Sequence, residues 1–510
     1  MLKDRHANQL SSIDIRDGGD APGEFNYMPL RKQSWQPLSS QMLLFSRISS
    51  FLANCGMDVR CSFAIDFLVF EKAINAFLKV HPIFFLKLGR GFYKVHPYTP
   101  IKLGIVDLQG VDNQQLFIDK HYETFVKRRF VYDGSPLFQA TLFQISAESF
   151  SFLFSFPHLI GDYGCIRIAI DAIFENYFLL KRGMEPSAYK ASDDYLLKSV
   201  ARENALKALW ATQKSAWEIE ANSYRHIAVD DKNVKECYSG SIQNVSLSRE
   251  TLNAFAAFCA ENKCKKSIGL MAITALAICS LTNQKECSVE FVLHGRNEKN
   301  EENCFGPFTT NVPLNISFSG DEHVGQFIQN IAATYRQNQP FSSLGSPLCS
   351  PIADRSRDLS AWEKVISFLK RQKLKLQIPK ARREVNLDYY CRGAVEEAFD
   401  RHHSPRHRKK LRLTFNSYTI FTAENCKTEN IAFDAFKERS ITHKGFFQGK
   451  ADLPILVIFF FKLQNGDFNL MIPASPLTDS FEVKILEKIT QTIDLLISNP
   501  SLKISALISL

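Results

Sequence analysis

Hydrophobic and polar residues follow two different periods along the first third of the chain. Phe70 to Val80 (FEKAINAFLKV) repeats apolar residues three and four places apart, the spacing of a helix with one buried face. Ser149 to Phe156 (SFSFLFSF) alternates Ser and Phe, the spacing of a strand with one apolar face, and Pro136 to Ile145 reads as its partner across a short polar turn. Ile166 to Leu180 then reads as a buried helix. Residues 181 to about 235 are charged and helical, for example Asp193 to Ala221, and read as a connection. The same logic returns after it. Ser248 to Ala260 and Ser267 to Leu281 are expected helices, with Ser248 as the N-cap of the first. Cys287 to Leu293, Val312 to Phe318, Leu411 to Phe421, Pro454 to Lys462 and Phe468 to Pro473 are expected strands, and Phe481 to Ile497 a closing helix.

Strands and helices mixed throughout, in two halves of similar weight, predict an α/β fold of two subdomains, each a mixed sheet with helices. The expected divisions are a loose lead-in over 1–24, a first half over 25–190, a helical connection over 191–234 and a second half over 235–510. No short repeat or low-complexity tract interrupts this plan.

Composition adds three constraints. Phe is far commoner than Tyr, 42 against 15, which demands either a large apolar core or a deep apolar channel. The twelve Cys include no Cys-x-x-Cys pair, so neither a zinc site nor a dithiol redox centre is expected. The opening residues lack the apolar core of a secretion signal, and the longest apolar run, Leu453 to Phe461, ends at Lys462, too short for a membrane span. A cytoplasmic protein with free, buried thiols and no membrane span is expected.

The segment richest in chemistry is Ser155-Phe156-Pro157-His158-Leu159-Ile160-Gly161-Asp162-Tyr163-Gly164. An apolar strand delivers a His, an Asp follows four places later, and a Gly opens a helix. Imidazole titrates near neutrality, so a His at a strand mouth suits proton transfer. It equally suits a structural hydrogen bond. Asp162 either orients the loop or pairs with a cation.

Neighbouring segments, taken in order, resemble the condensation domains of nonribosomal peptide synthetases and the wider chloramphenicol-acetyltransferase-like superfamily. His158 and Asp162 match the second His and the Asp of that family's His-His-x-x-x-Asp-Gly core. Pro37-Leu38-Ser39-Ser40-Gln41, Leu78-Lys79-Val80-His81-Pro82, Ser135-Pro136-Leu137-Phe138, Gly295-Arg296, Gly306 to Pro313 and Gly449-Lys450-Ala451-Asp452-Leu453 resemble its other motifs. The chain departs at Pro157, where the first His would stand, and at Tyr163, where Gly would follow the Asp. It departs again at Thr310-Asn311, which inverts the family order, and at Phe85, where Arg is usual.

The resemblance implies two chloramphenicol-acetyltransferase-like subdomains with the site in the cleft between them. The reaction it implies is acyl transfer from a phosphopantetheine thioester to an amine or hydroxyl of a small-molecule acceptor. His158 would take the acceptor's proton or orient it. Asp162 would pair with Arg296 and hold the loop. Backbone N–H groups near Gly161 and Gly164 would receive the oxyanion. Tyr163 and Asn311 are candidates to line the substrate channel, and Asn311 equally suits a structural role that ends a turn. No permanently bound cofactor and no metal are implied. The donor would be an acyl or peptidyl carrier protein acting in trans, or coenzyme A directly. A non-catalytic homologue that keeps the fold for binding is the alternative from another class.

The net charge is +9, and much of the basic excess falls between Arg355 and Arg412, densest in Arg401 to Lys410. This region is either a solvated helix face with a loop or a docking surface for an acidic partner, a carrier protein or the phosphates of coenzyme A. No aromatic residues interleave the Arg401 to Lys410 run, so a nucleic-acid partner is not expected.

Overall fold

The computed structural model describes residues 54–89, 92–126, 128–186, 194–202, 225–234, 243–296, 301–339, 408–418, 455–462, 468–472 and 477–508, together with 36–39 and a few isolated positions. The lead-in over 1–24, the motif at Gly449 to Leu453, most of the helical connection and all of the basic region before Arg408 lie outside these residues.

The first half is built on a four-stranded sheet. Strands β2 (Asn54–Cys61), β7 (Ser149–Pro157), β6 (Gln139–Ser146) and β5 (Gly104–Asp107) lie side by side in that order, and only the β5–β6 pair is parallel. A small separate sheet joins β1 (Gln36–Pro37), β4 (Phe92–Val95) and β3 (Leu86–Leu88). Helix α1 (Phe67–Lys79) starts where the Asp66 carboxylate accepts the N–H groups of Leu68 and Val69, both at 3.1 Å. Helix α2 (Gln114–Val126) follows β5, and α3 (Tyr163–Lys181) follows β7.

The Ser/Phe alternation of β7 sorts its side chains between two layers. Phe150, Phe152, Phe154 and Phe156 join the main core with Phe70 of α1 and Phe174 of α3. Edge-on ring contacts such as Phe70–Phe152, with centroids 4.9 Å apart, knit this core together. From Ser151 onward the opposite face does not meet solvent, although simple alternation would suggest it. Leu153 packs with Ile118 and Phe125 of α2, and Ser151 and Ser155 are fully buried. The serine face tolerates burial because its hydroxyls are hydrogen-bonded, Ser151 to Asp58 and Ser155 to Gln139. The abundant Phe thus serves a packed aromatic core here.

The second half carries a mixed sheet in the order β11 (Thr310–Ser317), β10 (Glu286–Leu293), β12 (Arg408–Tyr418), β13 (Ile455–Lys462), β14 (Phe468–Ile472) and β9 (Gln243–Leu247). Strands β10, β12 and β13 run parallel, and β8 (Ile227–Asp230) adds to β12. Helices α4 (Arg249–Glu261), α5 (Lys266–Thr282), α6 (Val324–Asn338), α7 (Asp479–Ser498) and α8 (Ile504–Ile508) complete the described part. Ser248 caps α4 by accepting the Thr251 N–H at 3.1 Å. The nearly all-apolar α5 is buried along its length in the second core. Pairing with β8 makes β12 begin at Arg408, three residues before the expected Leu411, so the last basic residues of the Arg401 to Lys410 run are strand rather than loop.

Two segments cross the expected divisions. Tyr195 and Leu196, from the connection, and Cys304, Phe305 and Phe308, from the second half, pack in the first core. Residues Ile227 and Val229, also from the connection, pack in the second. Among the described residues no single helix is long and apolar enough to cross a membrane. No group of His, Cys, Asp and Glu is arranged there to hold a metal ion.

Candidate active site

Strand β7 ends at Pro157, whose carbonyl accepts the Ile160 N–H at 3.0 Å and closes a tight turn. The turn places His158 half-buried between fully buried neighbours, Pro157 and Leu159. Burial pushes the His158 imidazole below its ordinary value, against the opposing pull of nearby backbone groups and the Asp162 charge. The ring is therefore neutral at neutral pH and keeps a lone pair, which a base requires.

Asp162 stands at the N-cap position of α3 but makes no side-chain bond to its own helix. Its carboxylate turns to the second half instead. Both oxygens accept from Arg296 Nη1, at 2.9 and 3.0 Å, and Oδ2 also accepts the N–H groups of Phe308 at 2.8 Å and Thr309 at 3.0 Å. Asp162 is 1% exposed. Burial alone would push its carboxyl up, but the Arg296 charge and the Phe308 N–H outweigh that and hold it below the usual range. The Arg296 guanidinium is held charged in turn, since the Asp162 carboxylate outweighs the cost of its own burial.

Three glycine and aromatic positions make this clasp possible. Gly295 sits at φ +66°, and a Cβ there would lie 1.7 Å from the Phe308 carbonyl oxygen, so only glycine lets the two backbones meet. At Gly164 a Cβ would lie 2.7 Å from Arg296 Nη1. The guanidinium thus occupies the space a side chain would fill, and glycine is required one place later than the family core has it. The Phe308 ring lies under the Arg296 guanidinium, 4.6 Å from its centroid, and Arg202 approaches the same ring at 4.8 Å. Arg296 Nη2 also donates to the Gly306 carbonyl at 3.1 Å and to the Cys165 sulfur at 3.3 Å.

A second strut runs beside the first. Phe305 inserts into the first core against Phe84 at 4.7 Å, Phe156 at 5.0 Å, His81 at 5.7 Å and Phe77 at 5.8 Å. Gly161 faces this insertion, since a Cβ there would meet Phe156 at 2.7 Å and Phe305 at 3.1 Å. The buried His81 ring is pushed down to about 4 and is neutral, a packing element of the aromatic cluster. Arg202 ties the same loop down through Glu301 at 2.7 Å and the Gly295 carbonyl at 3.2 Å.

The structure therefore brings His158, Gly161, Asp162, Gly164 and Arg296 to one place. Tyr163 is the first residue of α3, half-buried on the rim of the first core. Asn311 lies farther along β11 and donates to the buried Glu290 carboxylate at 2.9 Å. Phe305, Arg202, Glu301 and Cys165 belong to the site's support but carry no local signal in the sequence. The Gly306 to Pro313 motif marked the loop without revealing what its rings do. Burial raises the Cys165 thiol, against the opposing pull of the Arg296 charge, and keeps it protonated.

Bacitracin synthase 3 of Bacillus licheniformis is 19% identical over 308 residues, covering 58% of this chain and 5% of that protein. Bacitracin synthase 1 of the same organism is 22% identical over 267 residues, covering 50% of this chain and 5% of that protein. The matched region thus spans a small fraction of these relatives' length. Among solved structures, the first condensation domain of the calcium-dependent antibiotic synthetase superposes with a TM-score of 0.64 at 13% identity, covering 93% of this chain and 98% of that one. The X-domain from teicoplanin biosynthesis gives 0.65 at 13% identity, covering 92% and 96%. At such identities these two share the fold. The family model described as "Condensation domain" matches residues 35–354, a stretch that holds both the His158 loop and its Arg296 clasp, and the chain belongs to the condensation-domain family.

Proposed function

We propose that this chain forms an amide bond, moving an acyl group from a phosphopantetheine thioester on a carrier protein to the amine of a second substrate. One observation carries the reading. A neutral, half-buried His158 stands on a loop that the Asp162–Arg296 pair locks to the second half of the chain. The amine nitrogen attacks the thioester carbonyl carbon, and the carbonyl π electrons move to oxygen. His158 orients the amine and takes its proton as the C–N bond forms. Collapse of the intermediate breaks the C–S bond, and the proton passes to the departing thiolate. Backbone N–H groups near Gly161 and Gly164, at the start of α3, would receive the oxyanion, where the helix dipole also favours negative charge. Asn311 and Tyr163 are the proposed channel residues. An ester product and direct use of coenzyme A follow the same chemistry. Carrier docking on the basic region between 355 and 412 belongs to the same proposal.

The chain also fits a binding role on the same fold, and Pro157 and Tyr163, standing where family motif residues would be, favour that second reading. Replacement of His158 by Ala separates the two. A positioned base contributes about a hundred- to ten-thousand-fold, so single-turnover amide formation should fall within that range while circular dichroism and unfolding midpoint stay unchanged. Equal rates in the variant and the wild type exclude His158 from the chemistry.

A further inference from the structure

A second site lies apart from the Asp162–Arg296 clasp. Between the C-terminal end of α2, the first residues of β6 and the loop entering β5 is a cavity of about 860 Å³. That volume lies within the range of small-molecule sites, about 300–1,000 Å³. It is larger than a packing defect, and its lining is sorted by chemistry. Phe125 and Phe138 give it an apolar wall, and both are buried. Lys102, His121 and Arg128 also line it, and among the described residues no acidic side chain does. Lys102 and Arg128 are exposed, so their charges stand at the mouth. Gln139 lines the cavity as well, and its buried Oε1 has no hydrogen-bond partner among the described residues, while its Nε2 donates to Ser155 Oγ and the Phe125 carbonyl, each at 2.7 Å.

An opening gap in the sheet makes this space. Strand β6 begins at Gln139, but β5 joins it only from Thr141, opposite Gly104. Among the described residues, the first two of β6 therefore have no strand beside them on that edge.

We propose that this cavity is a binding site for an anionic amphiphile, a molecule with an aliphatic or aryl body and one negatively charged head. The body lies against Phe125 and Phe138. The head pairs with Lys102 and Arg128, the two exposed cations at the mouth, which face no acidic side chain among the described lining residues. The buried Gln139 oxygen accepts a hydrogen bond from a donor on the ligand or from a water it carries in. The wall is also tied to the end of β7. Gln139 bonds Ser155, and Asn54, paired with Pro157 in the sheet, donates to the Arg128 carbonyl at 2.7 Å. A ligand here therefore rests against two of the supports of the strand that presents His158. The site stands independently of the proposed reaction.

Isothermal titration of the full chain with decanoate tests the proposal, with decanol and inorganic phosphate as comparison probes. Decanoate should bind one site per chain, at least tenfold more tightly than decanol or phosphate, with affinity falling as salt rises. The Lys102→Glu, Arg128→Glu double variant changes exposed residues only and should fold normally, yet lose at least tenfold in decanoate affinity. His158→Ala should bind decanoate as the wild type does, which separates this site from the reaction site. Absence of decanoate binding at millimolar concentration overturns the proposal. So does equal affinity for decanol, equal affinity of the double variant, or loss of binding in His158→Ala.

Discussion

Replacing Asp162 by Asn takes one negative charge from a buried site and leaves the Arg296 guanidinium without it. The carboxylate oxygens accept from Arg296 Nη1 and from the N–H groups of Phe308 and Thr309, all between 2.8 and 3.0 Å. An amide retains one acceptor oxygen and turns a donor toward one of these donors. The Arg296 side chain is 8% exposed and that of Asp162 1%, so water cannot compensate the cation. Breaking a buried pair from one side costs about 3–5 kcal/mol. Urea unfolding followed by circular dichroism should show Asp162→Asn and Arg296→Met each destabilised in that range. The double variant should lose less than the sum, because the second change removes the charge that the first left unpaired. A coupling energy of about 2 kcal/mol or more is expected, within the range for contacting residues. Costs that add to within about 0.5 kcal/mol would refute the clasp as the link between the halves.

Gly164→Ala should destabilise despite the roughly 1 kcal/mol advantage of Ala inside a helix, because its Cβ would lie 2.7 Å from Arg296 Nη1 and Asp162 prevents that group from swinging away. Overpacking of this kind costs about 1–3 kcal/mol, and a higher urea midpoint for the variant would contradict the argument. The acid limb of the rate profile should reflect His158. Burial lowers its pKa, so activity should be level from about pH 6.5, the ordinary imidazole value, upward through 8, and fall only below it. An acid limb centred above pH 7 would show a group raised rather than lowered. Asp162 is held below the usual carboxylate range, so its contribution to stability is complete above about pH 3.9 and is lost as pH falls through its lower folded value. Urea midpoints that drop between pH 7 and 5 in the wild type but not in Asp162→Asn would contradict that sign.

The elements were legible in the sequence wherever one period dominated. The Ser/Phe alternation of β7, the helical spacing of α1 and the Ser248 cap each encode local structure within a few residues of the chain. The site was legible in part for another reason. His158, Asp162 and Arg296 sit in motifs whose order is kept, and the structure sets Asp162 and Arg296 against each other. The supports were not legible, because they join residues far apart. Phe305 packs against Phe77, His81, Phe84 and Phe156, and nothing around Phe305 marks it as part of the first core. The burial of both faces of β7 was hidden for the same reason, since Ser is compatible with solvent and with a hydrogen-bonded interior. The parallel pairing of β10, β12 and β13 brings together strands separated by long intervening segments, which periodicity cannot assign.

Intact-mass spectrometry of two carrier proteins tests the central claim most directly. One carrier bears an acyl chain on its phosphopantetheine and the other an amino acid drawn in turn from the full set of twenty. With the wild-type chain, at least one acceptor carrier should gain the mass of the acyl group while the donor returns to its free thiol, and His158→Ala should abolish most of that gain. Folded wild-type protein that leaves every acceptor at its starting mass, or that only releases the acyl group to water, would contradict an amide-forming role for this chain.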